Sequence, residues 1–212
     1  MSIEETVELA VKVLCDVKPL RPTRAAYLFA QTTDNQSSVL ERGADLLKRR
    51  DTEMLLISGA APCAGYPGFD VWQAELCGLD VPAEKIAGVD SGMFDSLNTL
   101  IEALAAVRHC KAAAFPTLSI VAAPFHQLRA FMTAVTALSR EYPELRVFSA
   151  AGRAQPWYEP VSHSQGALTG CREDFIQTEL ERIEKYQAKG DLDSIATVRD
   201  YLRTRDGATS PR

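Results

Sequence analysis

A chain of 212 residues has room for one sizeable α/β domain and is short for two. It is 46% hydrophobic and 24% charged, ordinary values for a globular protein, and its formal charge of −5 argues against a general nucleic-acid binder, which is usually basic. Residues 1–15 carry Glu4, Glu5, Glu8 and Lys12 among their apolar positions, so they hold no uninterrupted signal-peptide core, and no stretch approaches the roughly 20 apolar residues of a membrane span. A cytoplasmic protein without a membrane partner is expected.

In chain order, residues 4–17 place Val7, Ala10, Val11, Val13 and Leu14 at helical spacing. Residues 25–30 are a continuous apolar run, as in a strand covered on both faces, and the polar residues 31–37 form the loop after it. A helix is predicted over 39–50 and a second buried strand over 54–58. A loop rich in Gly and Pro follows to Gly68, then a helix over 69–77 and a short strand over 85–89. The spacing predicts helices over 97–110 and 125–140, with strands over 118–122 and 146–149. Residues 152–170 are irregular and long enough for a functional loop, and they contain Trp157, Tyr158, His163 and Gln165. Charged amphipathic helices are expected over 173–188 and 192–201, and residues 207–212 as a disordered tail.

Apolar strands alternating with helices define a mostly parallel sheet with helices on both faces, in one α/β domain over residues 1–206. Ligands of such sheets bind at the carboxyl ends of the strands, at a topological switch point. The polar stretches 31–37, 58–68, 90–98 and 123–129 all follow strands and belong to that one end.

The most informative stretch is Leu118-Ser-Ile-Val-Ala-Ala-Pro-Phe-His-Gln-Leu-Arg129, a buried strand that runs into a helix. Pro124 suits the helix start, and His126 and Arg129 share its first turn, where free N–H groups and the helix dipole favour an anion. Arg129 is a candidate to hold a carboxylate or phosphate, and His126 to donate to it or act as acid or base. A buried carbonyl for His126 and a surface acid for Arg129 are the structural alternative. Ser58 and Gly59 end a strand and suit either a tight turn or a close ligand approach. Ser96 or Asn98 is placed to cap the next helix, with Glu102 in its early turns; Asn98 and Thr99 alternatively offer polar groups to a ligand. Asp34 and Asp70 are the nearest candidate carboxylates, but no ligand spacing specifies a metal. The segment Tyr66-Pro-Gly-Phe-Asp-Val-Trp72 is either an aromatic wall or a packed loop. Dinucleotide, Walker and nucleophile-elbow motifs are absent. The five cysteines, Cys15, Cys63, Cys77, Cys110 and Cys171, are odd in number and form no Cys-x-x-Cys pair, which fits reduced thiols better than disulfides or zinc.

Three pieces in order, Leu55-Leu-Ile-Ser-Gly59, Ser96-Leu-Asn-Thr99 and Ile120-Val-Ala-Ala-Pro-Phe-His-Gln-Leu-Arg-Ala130, resemble the YdcF/SanA/ElyC family. Leu79-Asp-Val-Pro-Ala-Glu-Lys-Ile86 and Leu40-Glu-Arg-Gly-Ala44 are similar to further family passages, so the likeness spans residues 25–149. It implies a Rossmann-like three-layer fold and a ligand site at the strand ends, lined by Asp34, Ser58, Gly59, Asn98, Thr99, His126 and Arg129. The absence of a membrane span resembles the soluble YdcF-like branch, which implies S-adenosylmethionine as the first ligand candidate. The chain departs from the family pattern in four places. Ala30-Gln-Thr-Thr-Asp34 stands for a Gly-rich strand end, Ala60 for a second glycine, and Ile101-Glu102 for Glu-Asn. The acid that begins the family's next helix is out of register, with Asp70 the candidate in its stead. The expected function is an enzyme with transferase or hydrolase chemistry on a nucleotide-like or anionic small molecule. A non-catalytic metabolite-binding module of the same fold is the alternative.

Overall fold

The computed structural model describes residues 2–90, 97–163 and 168–207. Five parallel strands, β1 (Ala25–Leu28), β2 (Leu55–Ser58), β3 (Ile86–Val89), β4 (Thr117–Val121) and β5 (Arg146–Ser149), form one sheet in the order β3-β2-β1-β4-β5. The helices are α1 (Ile3–Leu14), α2 (Gln36–Lys48), α3 (Phe69–Gly78), α4 (Thr99–Ala112), α5 (Pro124–Glu141), α6 (Asp174–Ala188) and α7 (Ile195–Gly207). Alternate strand residues face opposite layers. Ala25, Tyr27, Leu56, Leu118 and Ile120 pack with residues of α1, α4, α5, α6 and α7, whereas Ala26, Leu28, Leu55, Ile57 and Val121 pack with α2 and α3. Both faces are covered, which is why the strands read as unbroken apolar runs. The result is a Rossmann-like three-layer α/β sandwich.

The chain builds outward from β1 to β2 and β3 on one side, then returns through α4 to β4 and β5 on the other. Registers such as Tyr27 beside Leu56 and Ile120 fix β1 as the central strand. Between β1 and β4 the winding reverses, so their carboxyl ends open a crevice at the switch point.

Element ends shift from the sequence reading by a few residues, as at α2, which begins at Gln36 rather than 39. A larger difference lies in residues 152–170. Pro160–His163 and Leu168–Cys171 pair antiparallel as a hairpin, β6 and β7, packed through Val161 and Leu168 on Ala123, Phe125 and Phe175. Gln165 falls outside the described residues. Helix α7 extends to Gly207, one residue into the expected tail, and 208–212 lie outside the described residues. Among the described residues no helix is long and apolar enough to cross a membrane.

Candidate functional site

A cavity of about 420 Å³ opens at the β1/β4 switch point, a volume within the roughly 300–1,000 Å³ of small-molecule sites. Its polar wall comes from the end of β1 (Gln31, Thr32), the start of α4 (Asn98, Thr99, Glu102) and the first turns of α5 (His126, Arg129, Thr133). The C-terminal part of the chain closes the other side with His163, Arg182, Tyr186, Asp191 and Leu192.

Of the residues singled out from the sequence, Asn98, Thr99, His126 and Arg129 come together on this cavity. Asn98 spends its side chain as the cap of α4, accepting from the N–H groups of Leu100 and Ile101 at 3.1 and 3.0 Å. Ser96 lies outside the described residues. Thr99 Oγ1 accepts from Arg129 Nη1 at 2.8 Å and lies 3.3 Å from His126 Nε2. Arg129 is also clasped by Glu179 of α6, Nε to Oε2 at 2.5 Å and Nη2 to Oε1 at 3.1 Å, a bidentate geometry inside the protein. Its acid is therefore a buried carboxylate, not a surface one.

Asp34, Ser58 and Gly59 are not among the lining residues. Asp34 Oδ2 accepts from the Ser162 N–H at 2.7 Å and so ties the loop after β1 to β6. Ser58 accepts through Oγ from the Ala60 N–H, and through its carbonyl from Tyr66 Oη at 2.9 Å. A Cβ on Gly59 would meet the Val89 carbonyl at 3.1 Å, so this glycine permits a close approach to the end of β3. Asp70 is exposed in the first turn of α3 and does not line the cavity. The segment around Trp72 is a packed loop with one edge on the cavity: Tyr66 lines it, and Trp72 is buried against Tyr66 with ring centroids 5.0 Å apart.

Glu102 and His163 of the cavity wall, and Glu179 behind it, acquire their roles only in three dimensions. Glu102 is buried beside Tyr27, and its Oε1 accepts from Tyr27 Oη at 3.1 Å and from the Ala30 N–H at 2.8 Å. Burial drives its pKa up to about 8, against the opposing pull of those two donors and of Arg129. Glu179 is equally buried, and desolvation alone would raise it; Arg129 above all reverses that and holds the carboxylate well below its ordinary range. Glu179 Oε1 also receives Arg182 Nη1 at 2.8 Å and lies 3.3 Å from His163 Nε2. His163, from the segment read as irregular, thus lines the cavity from β6. His126 contacts Gln31 Nε2 through Nδ1 at 3.3 Å, and burial followed by the nearby Arg129 charge pushes its pKa well below 6.5. At neutral pH His126 is an uncharged imidazole.

Glu102 and Glu179 each carry a signal that periodicity can find. Glu102 falls on the buried stripe Thr99, Ala103, Ala106, Cys110 of α4, and Glu179 lies between Phe175 and Ile183 of α6 at helical spacing. A charge on an otherwise apolar stripe marks an acid that folding must bury.

No group of three or more metal-ligating side chains gathers among the described residues. All five cysteines are free, and burial raises the Cys63 and Cys110 thiols. Fold and site together define a three-layer α/β protein with a polar cavity at its switch point, walled by a buried acid and a clasped guanidinium. No protein-family model, curated protein or solved structure matches the chain.

Proposed function

We propose that this chain is a YdcF-like cytoplasmic enzyme that binds a small anionic or nucleotide-like metabolite in the switch-point cavity and transfers or hydrolyses a group on it. Glu102 is its proton donor. The observation that carries this reading is Glu102 itself, a buried carboxyl in the cavity wall with one oxygen fixed by Tyr27 and Ala30. Its raised pKa keeps it mostly protonated at neutral pH, the state a general acid needs. Anion binding is supported by two guanidinium groups that line the cavity, Arg129 and Arg182.

S-adenosylmethionine is the first candidate ligand and when bound would supply an activated methyl group. That transfer leaves a neutral thioether and needs no proton, so the donor role of Glu102 belongs to transfer or hydrolysis with an oxygen or nitrogen leaving atom. The carboxylate of S-adenosylmethionine suits the two guanidinium groups, and its adenine suits the wall of Leu97, Leu100, Tyr186 and Leu192. The turn after β1 does not have the glycines that would bring a ligand onto bare backbone; Gln31 and Thr32 project side chains there.

A non-catalytic metabolite-binding module is the second reading, favoured by the uncharged, buried state of His126, which makes it a weak base. Thermal shift against S-adenosylmethionine, adenine nucleotides and phosphorylated metabolites tests binding. Ligand at 100 times its dissociation constant stabilises by about 2.7 kcal/mol. Glu102→Gln then separates the readings: the enzyme keeps its ligand and loses turnover by roughly 100-fold or more. A full panel without any shift removes both.

A further inference from the structure

We propose that the protein forms a two-fold dimer through the outer face of α1, with the α1 helices of the two copies antiparallel.

Helix α1 carries two apolar faces. Leu9 and Val13 are buried in the core. Ile3, Val7, Val11 and Leu14, at spacings of four, four and three, form a second face that looks outward. Val17 and Leu20 continue the apolar sequence beyond the helix. All six are between 45% and 82% exposed, and they are six of the ten large hydrophobic side chains exposed among the described residues. The charged flank of the helix is already engaged. Arg199 of α7 reaches Glu5 and Glu8, and Lys12 pairs with Glu8. The helix is thus fixed on two sides and leaves its outer apolar side uncovered.

A second copy of the chain fits that face in area and in charge. An aliphatic side chain offers on the order of 100 Å² of apolar surface, so the six present roughly 350 Å², the size at which exposed patches mark interaction sites. Homodimer interfaces are about two-thirds apolar, so the pair buries about 1,000 Å² in all, the lower bound of a specific interface. The dimer is accordingly weak, with a dissociation constant in the micromolar range. Charge sets the orientation. Glu4, Glu5 and Glu8 stand in the first half of the stripe, and Lys12, Lys18 and Arg21 in the second. Asp16, the one acid of the second half, is buried against Arg205. Antiparallel pairing sets the acidic half of each copy beside the basic half of the other and opposes the helix dipoles; parallel pairing sets like charges together. A two-fold axis between Val7 and Val11 then brings Ile3 of each copy to Leu14 and Cys15 of the other. The glutamates also disfavour a membrane surface, where interfacial helices carry Lys and Arg.

Light scattering of the full chain over about 1 to 200 μM tests the dimer. The mass is expected to rise from 23.2 kDa toward twice that value. Val7→Lys with Val11→Lys, both at exposed positions, is expected to stay monomeric throughout and to keep the wild-type unfolding midpoint at the lowest concentration. Should that variant fail to fold, Val7→Ser with Val11→Ser is expected to dimerise about tenfold more weakly than the wild type. Orientation is read by cross-linking with a short bis-maleimide. Ile3→Cys is expected to give a covalent dimer that a further Cys15→Ser removes. A monomeric mass at every concentration, or a dimer that neither pair of substitutions weakens, overturns the proposal. So does a wild-type dimer linked through Cys15 alone, which would mean parallel helices, or an Ile3→Cys dimer indifferent to Cys15→Ser.

Discussion

Glu102 holds a proton that the unfolded chain would give up at ordinary carboxyl pKa, and this has a measurable consequence. Between about pH 4.5 and 8 the folded state binds more protons at this site than the unfolded state, so the contribution of Glu102 to stability falls as pH rises. The slope is at most about 1.4 kcal/mol per pH unit. Glu102→Gln places a permanently neutral amide at the same position and removes that loss. Urea denaturation at a series of pH values is expected to show the variant gaining on the wild type from pH 5 to 8, with the difference levelling above pH 8. A difference that stays constant with pH would mean that Glu102 is ionised in the fold. Taking this difference also cancels the opposite trends of Glu179 and His126, whose lowered pKa values make the fold lose stability toward acid.

Helix α6 is joined to α5 by the Arg129–Glu179 pair, whose side chains are 8% and 3% exposed. Glu179→Ala leaves a buried guanidinium without its bidentate partner and is expected to cost about 3–5 kcal/mol in denaturant unfolding. Arg129→Met with Glu179→Leu removes both charges and is expected to recover most of that loss. The β6–β7 hairpin is held by different groups. Arg172 is buried and donates to Asn35 Oδ1 at 2.9 Å, to the Asp34 carbonyl at 2.8 Å, to the Pro156 carbonyl, and to Glu159. Thr32 Oγ1 and Asn35 Nδ2 both donate to the Ser162 carbonyl. Arg172→Ala is expected to speed amide exchange in Pro160–His163 and Leu168–Cys171 while β1 to β5 keep their protection. Uniform exchange across the whole chain would show that Arg172 instead supports the entire fold. The sequence concealed this hairpin because its strands are largely polar, with a proline and a glycine among them. The strands of the sheet are scarcely longer but were legible for the opposite reason: burial on both faces leaves an uninterrupted apolar run such as Ala25–Leu28.

At the scale of the whole molecule, the switch point was readable from the alternation of strands and helices, and with it the end of the sheet where Thr99, His126 and Arg129 meet. What those side chains do there was not readable, since it depends on partners far away in sequence. Glu179 is 50 residues from Arg129, and Tyr27 is 75 from Glu102. The C-terminal part completes both the cavity and the core, where Ile183, Leu192, Ile195, Val198 and Leu202 are buried. A chain ended at Ala150 would leave the apolar surface beneath those residues open, and it is expected to collect in the insoluble fraction on expression. A soluble, cooperatively unfolding fragment would show that the sheet is complete without them.

The role given to Glu102 in the cavity is tested most directly by the pH dependence of turnover, measured with the metabolite that gives the largest thermal shift. The account predicts a rate that falls as pH rises past about 8, with that limb absent in Glu102→Gln. A wild-type rate flat from pH 6 to 9, or a Glu102→Gln variant that turns over as fast with the same profile, would contradict it.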